Sequence, residues 1–404
     1  MSYKSDFLNE ISSRGFIYQS TEIEELDKLM SKKKISAYIG FDPTSDSLHV
    51  GSLVQLMLLN WLETFGHKPI ALMGGGTTLV GDPSGKNETR KILEKNVIEE
   101  NINKIKLIFS KFINLNKNAI LINNYDWLSE INYISFLRDI GQKITVNKML
   151  TFESVKSRLD REQPLSFLEF NYMLLQAYDF KHLNQNFGCD LQLGGSDQWG
   201  NILSGIELIR KSHNKKAYAI TSPLITNNDG TKMGKTAEGA IWLNVEKLDN
   251  YNFYQFWRNI NDSDVSKFLK LFTKLPLKEI DKISKLKDQE INEAKKILAY
   301  EVTKICRNET AAKEANDISE NIFDKNINDD RIITLNVKVS NIEKNDFNLI
   351  NALENLNLVK SRGEAKRLIK SKGIKVNNLT YEENNFSLEK FTNKKEIKII
   401  VGKK

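Results

Sequence analysis

Short apolar runs alternate with helical patterns through the first half of the chain. The runs cover Ser36–Phe41, residues 69–73, residues 119–122 and residues 189–193. After the first run, apolar residues recur at helical spacing, and Gly66 suits the end of that helix. These apolar residues are Val54, Met57, Leu58, Trp61, Leu62 and Phe65. Strand, helix and strand in this order predict a parallel pair with a right-handed crossover, and therefore an α/β fold.

Glycines and small polar residues gather directly after three of the predicted strands. They occupy residues 40–44, 74–77 and 194–197, with the sequences GFDPT, GGGT and GGSD. Ligands of open parallel sheets bind outside the carboxyl ends of the strands. The pattern therefore predicts a ligand site assembled from these three segments.

The second half of the chain has a different organisation. From residue 244 to residue 330 glycine is absent, and apolar residues such as Leu269, Phe272 and Leu275 follow a helical spacing. Residues 326–331 are polar and indicate a linker. A chain of this length exceeds a typical single core. We therefore expect three domains, namely 1–243 with the parallel sheet, 244–330 with helices, and 338–404 as a small α+β module.

The net charge of +7 is confined to the last of these segments. Residues 338–404 hold 15 Lys and Arg against 8 Asp and Glu, whereas the rest of the chain holds 44 of each. A basic module on a neutral body is typical of an enzyme with an attached nucleic-acid-binding domain. The alternative is a lysine-rich end that is merely solvated.

Cysteine usage and hydropathy bear on the compartment. Cys189 and Cys306 are the only cysteines, and no disulfide framework or zinc site can be built from two such distant thiols. A reducing cytoplasm is therefore expected. The first ten residues lack the apolar core of a signal peptide, and no apolar run reaches the roughly 20 residues that cross a bilayer, so no membrane partner is expected.

The first chemistry-bearing segment lies between the first predicted strand and its helix. It contains Asp42, Thr44, His49, Gly51 and Ser52. A helix N-terminus offers N–H donors and a positive dipole end to a phosphate, and Thr44 and His49 can each donate to a phosphate oxygen. Gly51 would let a flat group such as a nucleobase approach the backbone. Alternatively, His49 is a capping or surface histidine.

The second such segment is TKMGKT at residues 231–236, directly after NNDG. Lys232, Lys235 and Thr236 in a turn-flanked loop form a cationic clamp that could close on phosphates and stabilise departing charge. Taken alone, the same composition also suits an ordinary surface loop.

A third constellation lies on one predicted helix. Tyr172, Gln176 and Asp179 are spaced i, i+4 and i+7, so they share a helix face. A phenol, an amide and a carboxylate in an otherwise apolar segment are unfavourable to bury unless a ligand bonds to them, and an amino acid is one such ligand. A half-exposed polar face is the alternative.

Together these motifs resemble the paired signatures of class I aminoacyl-tRNA synthetases, in the form found in bacterial-type tyrosyl-tRNA synthetases. The resemblance covers essentially the whole chain. It rests on GFDPTSDSLHVG at 40–51, KMGKT at 232–236, GDPSGK at 81–86, YMLLQAYD at 172–179 and GGSDQWGN at 194–201. It implies a Rossmann-like catalytic domain, ATP as substrate, tyrosine activation to tyrosyl-adenylate, transfer of tyrosine to tRNA(Tyr), and a homodimer. DNA is not an expected partner.

The resemblance also implies individual roles for residues around tyrosine. Tyr172, Gln176 and Asp82 hold the α-ammonium group of tyrosine, and Gln198 also contacts the amino acid. Asp179 and Tyr38 bind the phenolic hydroxyl. A phenol needs one acceptor and one donor, and phenylalanine would leave both unpaired, so this pair makes tyrosine the specific prediction.

On the ATP side the resemblance implies a second set of contacts. The phosphate-binding residues are Thr44, His49, Lys86, Arg90, Lys232, Lys235 and Thr236. The remaining nucleotide contacts are Gly40, Asp42, Gly51, Ser52, Gly195 and Asp197, with Asp197 on the ribose. Ser52 and Ile39 depart from the fullest family pattern at positions expected to contact ribose. We expect Mg²⁺ to accompany ATP, although no carboxylate cluster in the sequence demands a metal site.

The basic C-terminal segment contains a helix start at residues 361–364, SRGE, with the spacing of a capping box. The helix carries Arg362, Lys366 and Lys370 on one face with Arg367 beside them, and residues 372–377 predict a turn into a strand. Such a cationic surface suits phosphate backbones. It resembles the alpha-L RNA-binding module, while a solvated basic face remains the alternative.

Two other classes of protein share part of this pattern. One is an RNA-binding or splicing protein that keeps the synthetase fold without catalysis, and the intact pair of signatures speaks against it. The other is a small-molecule nucleotidyltransferase, which shares the histidine-x-glycine element. That enzyme would need neither the basic module nor the phenol-binding pair.

Overall fold

The computed structural model describes residues 2–82, 93–226, 233–236, 239–286, 290–323, 348–356, 358–359, 361–370, 374–376, 379–381 and 399–401. It forms two compact units, Met1–Phe323 and Asp324–Lys404. In the first unit, six strands form one sheet in the order β1-β6-β5-β2-β3-β4. Their bounds are β1 Gln19–Ser20, β2 Ser36–Phe41, β3 Lys68–Met73, β4 Ile120–Asn123, β5 Cys189–Gly195 and β6 Tyr218–Ser222.

The sheet has the predicted parallel architecture. Strands β2 to β6 pair in parallel, and the short β1 pairs antiparallel with β6 at the edge. The four strands expected from the sequence are confirmed within two residues at each end. Sequence reasoning did not name β6 or β1. A further hairpin joins β7 Lys235–Thr236 to β8 Gly239–Ala240.

Helices cover the sheet and continue beyond it. They are α1 Asp6–Ser13, α2 Ile23–Lys32, α3 Leu53–Thr64, α4 Gly75–Thr78, α5 Lys95–Phe109, α6 Tyr125–Leu128, α7 Tyr133–Asp139, α8 Val146–Met149, α9 Glu153–Asp160, α10 Phe167–Phe187, α11 Trp199–His213, α12 Asn250–Arg258, α13 Val265–Phe272, α14 Leu277–Ile283, α15 Ile291–Cys306 and α16 Glu309–Phe323. Short 3-10 turns occupy Val50–Ser52, Gly141–Lys143, Ser196–Gln198 and Asp262–Asp264.

Helix α3 is the central helix of the main core. Nine of its residues are buried, because it lies between the sheet and the helices of the second half. The predicted stop is confirmed: the backbone of Gly66 adopts φ +77°, and its N–H donates to the Glu63 carbonyl at 2.8 Å. A positive φ favours glycine, so the helix ends where the sequence indicated.

The predicted helical region, residues 244–330, forms α12 to α16 as far as Phe323. Its aromatic residues cluster around Trp257, which is fully buried and contacts Phe268 and Phe272. These helices share the main apolar core with α3 and belong to the first compact unit. A domain boundary between residues 243 and 244 stays a prediction. The proposed linker at 326–331 lies outside the described residues.

The second unit has its own small core. Helices α17 Leu349–Asn355 and α18 Arg362–Lys370 pack with a three-stranded antiparallel sheet. Its strands are β9 Ile374–Val376, β10 Leu379–Thr380 and β11 Ile399–Val401, in the order β10-β9-β11. The predicted start of α18 is seen in the Glu364 N–H, which donates to Ser361 Oγ at 3.2 Å. Among the described residues of both units, no helix is long and apolar enough to cross a membrane.

Candidate active site

A cleft of about 510 Å³ opens beside the carboxyl ends of β2, β3 and β5, where the sequence predicted a ligand site. Its volume is in the range of small-molecule sites. Of the predicted site residues, the cleft lining includes Tyr38, Gly40, Asp42, Thr44, His49, Gly51, Ser52, Asp82, Tyr172, Gln176, Asp179, Gly195, Asp197 and Gln198. Residues that are far apart in sequence therefore converge on one cavity.

The two signature segments are joined by a short piece of backbone. The Val50 N–H donates to the Ile241 carbonyl at 2.9 Å, and the Ile241 N–H donates to the Gly234 carbonyl at 2.9 Å. Two residues after Ile241, the Leu243 N–H donates to the Leu48 carbonyl at 2.8 Å. Residues 241–243 thus lie between the histidine-x-glycine segment and the loop before β7. The two segments therefore lie close together in the fold.

Gly51 and Gly234 allow this close approach. A Cβ on Gly51 would lie 2.5 Å from the His49 ring and 3.3 Å from the Met233 carbonyl oxygen. A Cβ on Gly234 would lie 3.1 Å from the Gly51 nitrogen, and Gly234 also has φ +87°. Side chains larger than hydrogen would push the two segments apart.

His49 caps the turn at Val50–Ser52. Its Nδ1 accepts a hydrogen bond from the Gly51 N–H at 2.9 Å. A neutral imidazole that accepts at Nδ1 carries its proton on Nε2, so the cap fixes the tautomer. His49 is therefore a capping histidine, as one of the two interpretations predicted. The same side chain lines the cleft, where its Nε2–H can still donate to a ligand.

Asp179 lies at the floor of the cleft with 2% of its surface exposed. Its carboxylate accepts hydrogen bonds from Asn124 Nδ2 at 2.9 Å and from Trp127 Nε1 at 2.8 Å. Asn124 also donates to Thr77 Oγ1 at 3.0 Å, which fixes the amide. Each carboxylate oxygen has further lone-pair capacity, so Asp179 can still accept from a ligand hydroxyl.

Tyr38 is the second group at this floor. It is 1% exposed, and its hydroxyl has no hydrogen-bond partner among the described residues. Burial, with the neighbouring Asp179 charge, raises the pKa of Tyr38 well above its ordinary value, so the hydroxyl keeps its proton. A buried hydroxyl without a partner is unfavourable by about 1–3 kcal/mol. The Tyr38 hydroxyl therefore remains available to bond a ligand.

Hydrogen bonds between side chains order the opposite wall. Tyr172 Oη donates to Asp42 Oδ2 at 2.9 Å. Gln198 Nε2 donates to Asp82 Oδ2 at 2.9 Å. Gln176 Oε1 accepts a hydrogen bond from Asn201 Nδ2 at 3.0 Å. These contacts place carboxylate and amide oxygens along one side of the cleft, an arrangement that suits an ammonium group.

The ribose side partly differs from expectation. Gly195 and Asp197 line the cleft, and a Cβ on Gly195 would lie 2.7 Å from Asp197 Oδ1. Ser196–Gln198 is a 3-10 turn whose N-cap is Gly195, without a side-chain cap bond. Helix α11 then begins at Trp199. Ile39, expected at the ribose, is instead buried in the main core, because it lies on the core face of β2.

Several predicted residues fall outside the described residues, namely Lys86, Arg90 and Lys232. For Lys235 and Thr236 the backbone is described as β7, directly after Gly234, and their side chains are not. In the second unit, Arg362, Lys366, Arg367 and Lys370 are all exposed on α18. Their common helix is confirmed, while their binding role stays a prediction.

Sequence reasoning missed the residues that hold Asp179. Asn124 directly follows β4, so the rule for strand carboxyl ends could have identified it. Trp127 carries no comparable local signal. Gln192 and Trp242 also line the cleft and were not predicted. Among the described residues, no group of three or more His, Cys, Asp or Glu side chains could hold a metal ion.

Comparison with known proteins decides the family. The family model described as tRNA synthetases class I (W and Y) matches residues 30–324. This chain belongs to that family. A tyrosine–tRNA ligase of Zymomonas mobilis is 52% identical over 378 residues, which are 93% of this chain and 91% of that protein. Another, from Agrobacterium fabrum, is 48% identical over 407 residues, covering 100% of this chain and 97% of that protein.

A solved structure gives the same result for the catalytic part of this class I synthetase. The C-terminally truncated mitochondrial tyrosyl-tRNA synthetase of Aspergillus nidulans aligns with a TM-score of 0.71 and 30% identity. The alignment covers 78% of this chain and 94% of that one. The Rossmann-like fold and the resemblance to bacterial-type tyrosyl-tRNA synthetases are thereby confirmed, and so is the prediction of an aminoacyl-tRNA synthetase that uses ATP.

Tyrosine binding by this synthetase should depend on pH through Asp179. Burial raises the pKa of Asp179 to about 7, against the opposing hydrogen bonds from Asn124 and Trp127, and the Asp42 charge adds to the increase. A phenol donates to the ionised carboxylate, so below pH 7 binding must first release a proton. We expect the affinity for tyrosine to fall up to about tenfold per pH unit below 7 and to be flat above it.

Intrinsic fluorescence titration with tyrosine between pH 5.5 and 8.5 measures this dependence. The control is Asp179→Asn, which has no ionisable group at this position and should lose the slope. A wild-type affinity that does not change across this range would contradict the assignment of Asp179 as the acceptor.

Proposed function

We propose that this class I synthetase is a tyrosine–tRNA ligase whose cleft binds tyrosine and ATP side by side. The observation that supports the proposal best is the floor of the cleft. There the buried carboxylate of Asp179 lies close to the buried hydroxyl of Tyr38, which has no hydrogen-bond partner in the part of the chain that the structure describes. The pair matches the one group that distinguishes tyrosine from phenylalanine. The joined signature segments lie on the wall of the same cleft.

In this proposal tyrosine lies with its phenol on the floor and its ammonium group against Asp82, Tyr172 and Gln176. Its carboxylate then faces the segment that contains His49. A carboxylate is already a nucleophile, so the attack on the α-phosphorus of ATP needs no general base. Tyrosyl-adenylate forms, pyrophosphate leaves, and the tRNA terminal ribose captures the tyrosyl group.

The protein contributes position and charge stabilisation to this reaction. His49 donates through Nε2, and Thr44 lines the same cleft. The cations Lys86, Arg90, Lys232 and Lys235 act on the pyrophosphate together with Thr236. Donors that bind phosphate more tightly in the transition state than in the ground state raise the rate. Mg²⁺ enters with ATP as part of the substrate, since cations of this size prefer phosphate oxygens and water.

One experiment separates this function from its rivals. Purified protein is assayed for amino-acid-dependent ATP–pyrophosphate exchange with tyrosine, phenylalanine and tryptophan in parallel. Exchange with tyrosine alone supports the proposal. No exchange with any amino acid would favour an RNA-binding protein without catalysis, and exchange that starts only with another acceptor would favour a small-molecule nucleotidyltransferase.

The basic module is proposed to bind tRNA(Tyr). Its four exposed cations on α18 suit the phosphate backbone, and Arg362 is further oriented by Asn351 Oδ1 at 3.1 Å. Deleting the chain after Asp330 should leave adenylate formation within about twofold, because the cleft lies wholly in the first unit. Charging of tRNA should fall at least about tenfold, as expected when several phosphate contacts are lost.

Active-site titration and tRNA charging of the truncated protein measure the two activities. The matched control is the full chain with Lys313→Ala, since Lys313 is an exposed lysine of the first unit. Unchanged charging by the truncated protein would contradict a tRNA-binding module.

A homodimer is the proposed assembly. Among the described residues, eight of the 13 exposed large hydrophobic side chains come from residues 133–168. They are Tyr133, Ile134, Leu137, Val146, Leu150, Leu159, Phe167 and Leu168. Exposed apolar side chains concentrated in one segment are typical of a surface that another subunit covers. Sedimentation of the intact chain measures this state. The proposed compartment is the cytoplasm, in keeping with the free, buried thiols of Cys189 and Cys306.

A further inference from the structure

A buried arginine lies where α15 ends. Arg307 is 6% exposed, and its guanidinium lies 4.7 Å from the centre of the Phe253 ring. Its Nη2 donates to the carbonyl oxygens of Trp242 at 3.1 Å and Leu248 at 2.9 Å. One charged group from the helical part of the first unit therefore holds both ends of the segment 242–248.

Trp242 connects this segment to the ATP side of the cleft. It forms an antiparallel bridge with His49, and the two rings lie edge to face with centroids 6.3 Å apart. The residue before it, Ile241, is bonded to both Val50 and Gly234. A displacement of the 242–248 segment would therefore move both signature segments together.

A second contact ties the same segment to the first signature loop. Lys247 lies over the Trp242 ring at 4.7 Å from its centre, and its ammonium pairs with Asp46. Lys104 of α5 also pairs with Asp46 at 3.2 Å. Trp242 is thus fixed through its carbonyl by Arg307 and through its ring by His49 and Lys247.

The contacts of Arg307 are unusual for a residue that only fills space. Its Nε and Nη1 are buried and have no hydrogen-bond partner among the described residues. Burying such a charge is unfavourable unless hydrogen bonds compensate for the lost hydration. The benefit of the guanidinium is therefore its two directed bonds to the backbone of one segment, since charged donors form strong hydrogen bonds.

We propose that Arg307 is a positioning residue for ATP, which fixes the segment 242–248 and thereby sets the spacing of His49 and the Gly234 loop. Arg307 acts through Trp242 and does not touch the substrate. The inference rests on the proposed role of His49 at the phosphates. Tyrosine binding does not depend on it, because Asp179 and Tyr38 are held by other elements, α10 and β2.

Arg307→Met tests the inference, and Arg14→Met is the matched control. Arg14 is equally buried at 3%, stacks on the Trp61 ring at 4.4 Å, and donates to the carbonyls of Lys270, Thr273 and Leu275. It makes no bond to the segment 242–248 among the described residues. Both variants should lose a similar amount of thermal stability.

Only Arg307→Met should slow the ATP reaction. We expect kcat of ATP–pyrophosphate exchange to fall about 10- to 100-fold, as for a small misplacement of phosphate-binding groups. The dissociation constant of tyrosine should stay within about twofold. Arg307→Lys keeps the charge but loses the rigid plane in which Nη2 donates to both carbonyls, so its kcat should lie between those of Arg307→Met and the wild type.

Rescue supplies an independent readout. In Arg307→Ala, low non-denaturing concentrations of guanidinium should restore part of kcat, and the same addition should not help His49→Ala. The inference is overturned if Arg307→Met and Arg14→Met lower kcat equally, or if tyrosine binding falls with kcat. If Arg307→Met does not fold, the other two variants decide. The inference is then overturned if Arg307→Lys has a normal kcat and guanidinium does not rescue Arg307→Ala. If His49→Ala has full activity, the proposed phosphate role fails instead.

Discussion

Alanine at His49 or Lys235 is expected to lower tyrosine-dependent ATP–pyrophosphate exchange by about 10²–10³-fold, as when one preorganised donor is lost. The dissociation constant of tyrosine should stay within about twofold. The reason is spatial: His49 lies in the segment joined to Gly234, while the phenol-binding floor is formed by Asp179 and Tyr38. Pyrophosphate exchange and fluorescence titration with tyrosine measure the two quantities.

Two further substitutions separate the cap from the proposed phosphate donor. His49→Asn keeps a short acceptor for the Gly51 N–H, and His49→Gln keeps a longer donor near the position of Nε2. If donation to phosphate is the function, the glutamine variant retains more exchange activity than the asparagine variant. His213→Ala is the control, since His213 is exposed at the end of α11. Equal loss of tyrosine binding and exchange in His49→Ala would count against the assignment.

Tyr38→Phe is expected to reduce the preference for tyrosine over phenylalanine by about 10- to 100-fold. The estimate follows from a lost hydrogen bond of about 1–3 kcal/mol to a buried hydroxyl of the substrate. Because the Tyr38 hydroxyl has no partner among the described residues, its removal should not lower the Tm of the free protein. The preference is measured as the ratio of kcat/KM values for the two amino acids in pyrophosphate exchange.

Tyr254→Phe is the matched control for this substitution. Tyr254 is fully buried, but its hydroxyl donates to Asn316 Oδ1 at 2.9 Å. Its removal should lower the Tm and leave the preference for tyrosine unchanged. A Tyr38→Phe variant with unchanged preference and a lower Tm would show that the Tyr38 hydroxyl serves the fold and not the substrate.

Local spacing explains which parts of the site could be predicted from the sequence. Tyr172, Gln176 and Asp179 share a face of α10 because helix geometry fixes that relation once the segment is helical. The ends of β2 and β5 were found within two residues because the short apolar runs stop there. The start of α18 at Ser361 was found because capping requires particular side chains.

Other features had no such local cause. Trp127 and Asn124 reach Asp179 across 52 and 55 residues of chain, and only the tertiary fold brings them together. The edge strand β1 has two residues, too few to show the alternation of apolar and polar positions that predicts a strand. Ile39 was expected at the ribose, but the direction of a side chain on a strand depends on which face of the sheet is covered.

The sequence by itself determined the class of chemistry, because motifs such as histidine-x-glycine and the polar face of α10 are set by short-range spacing. Only the tertiary structure decided that residues 241–243 join the two signature segments and that Asp179 is buried with a raised pKa. It also decided that the Tyr38 hydroxyl is left without a partner among the residues described. Burial and hydrogen-bond partners depend on residues brought together by folding, and no local pattern in the chain specifies them.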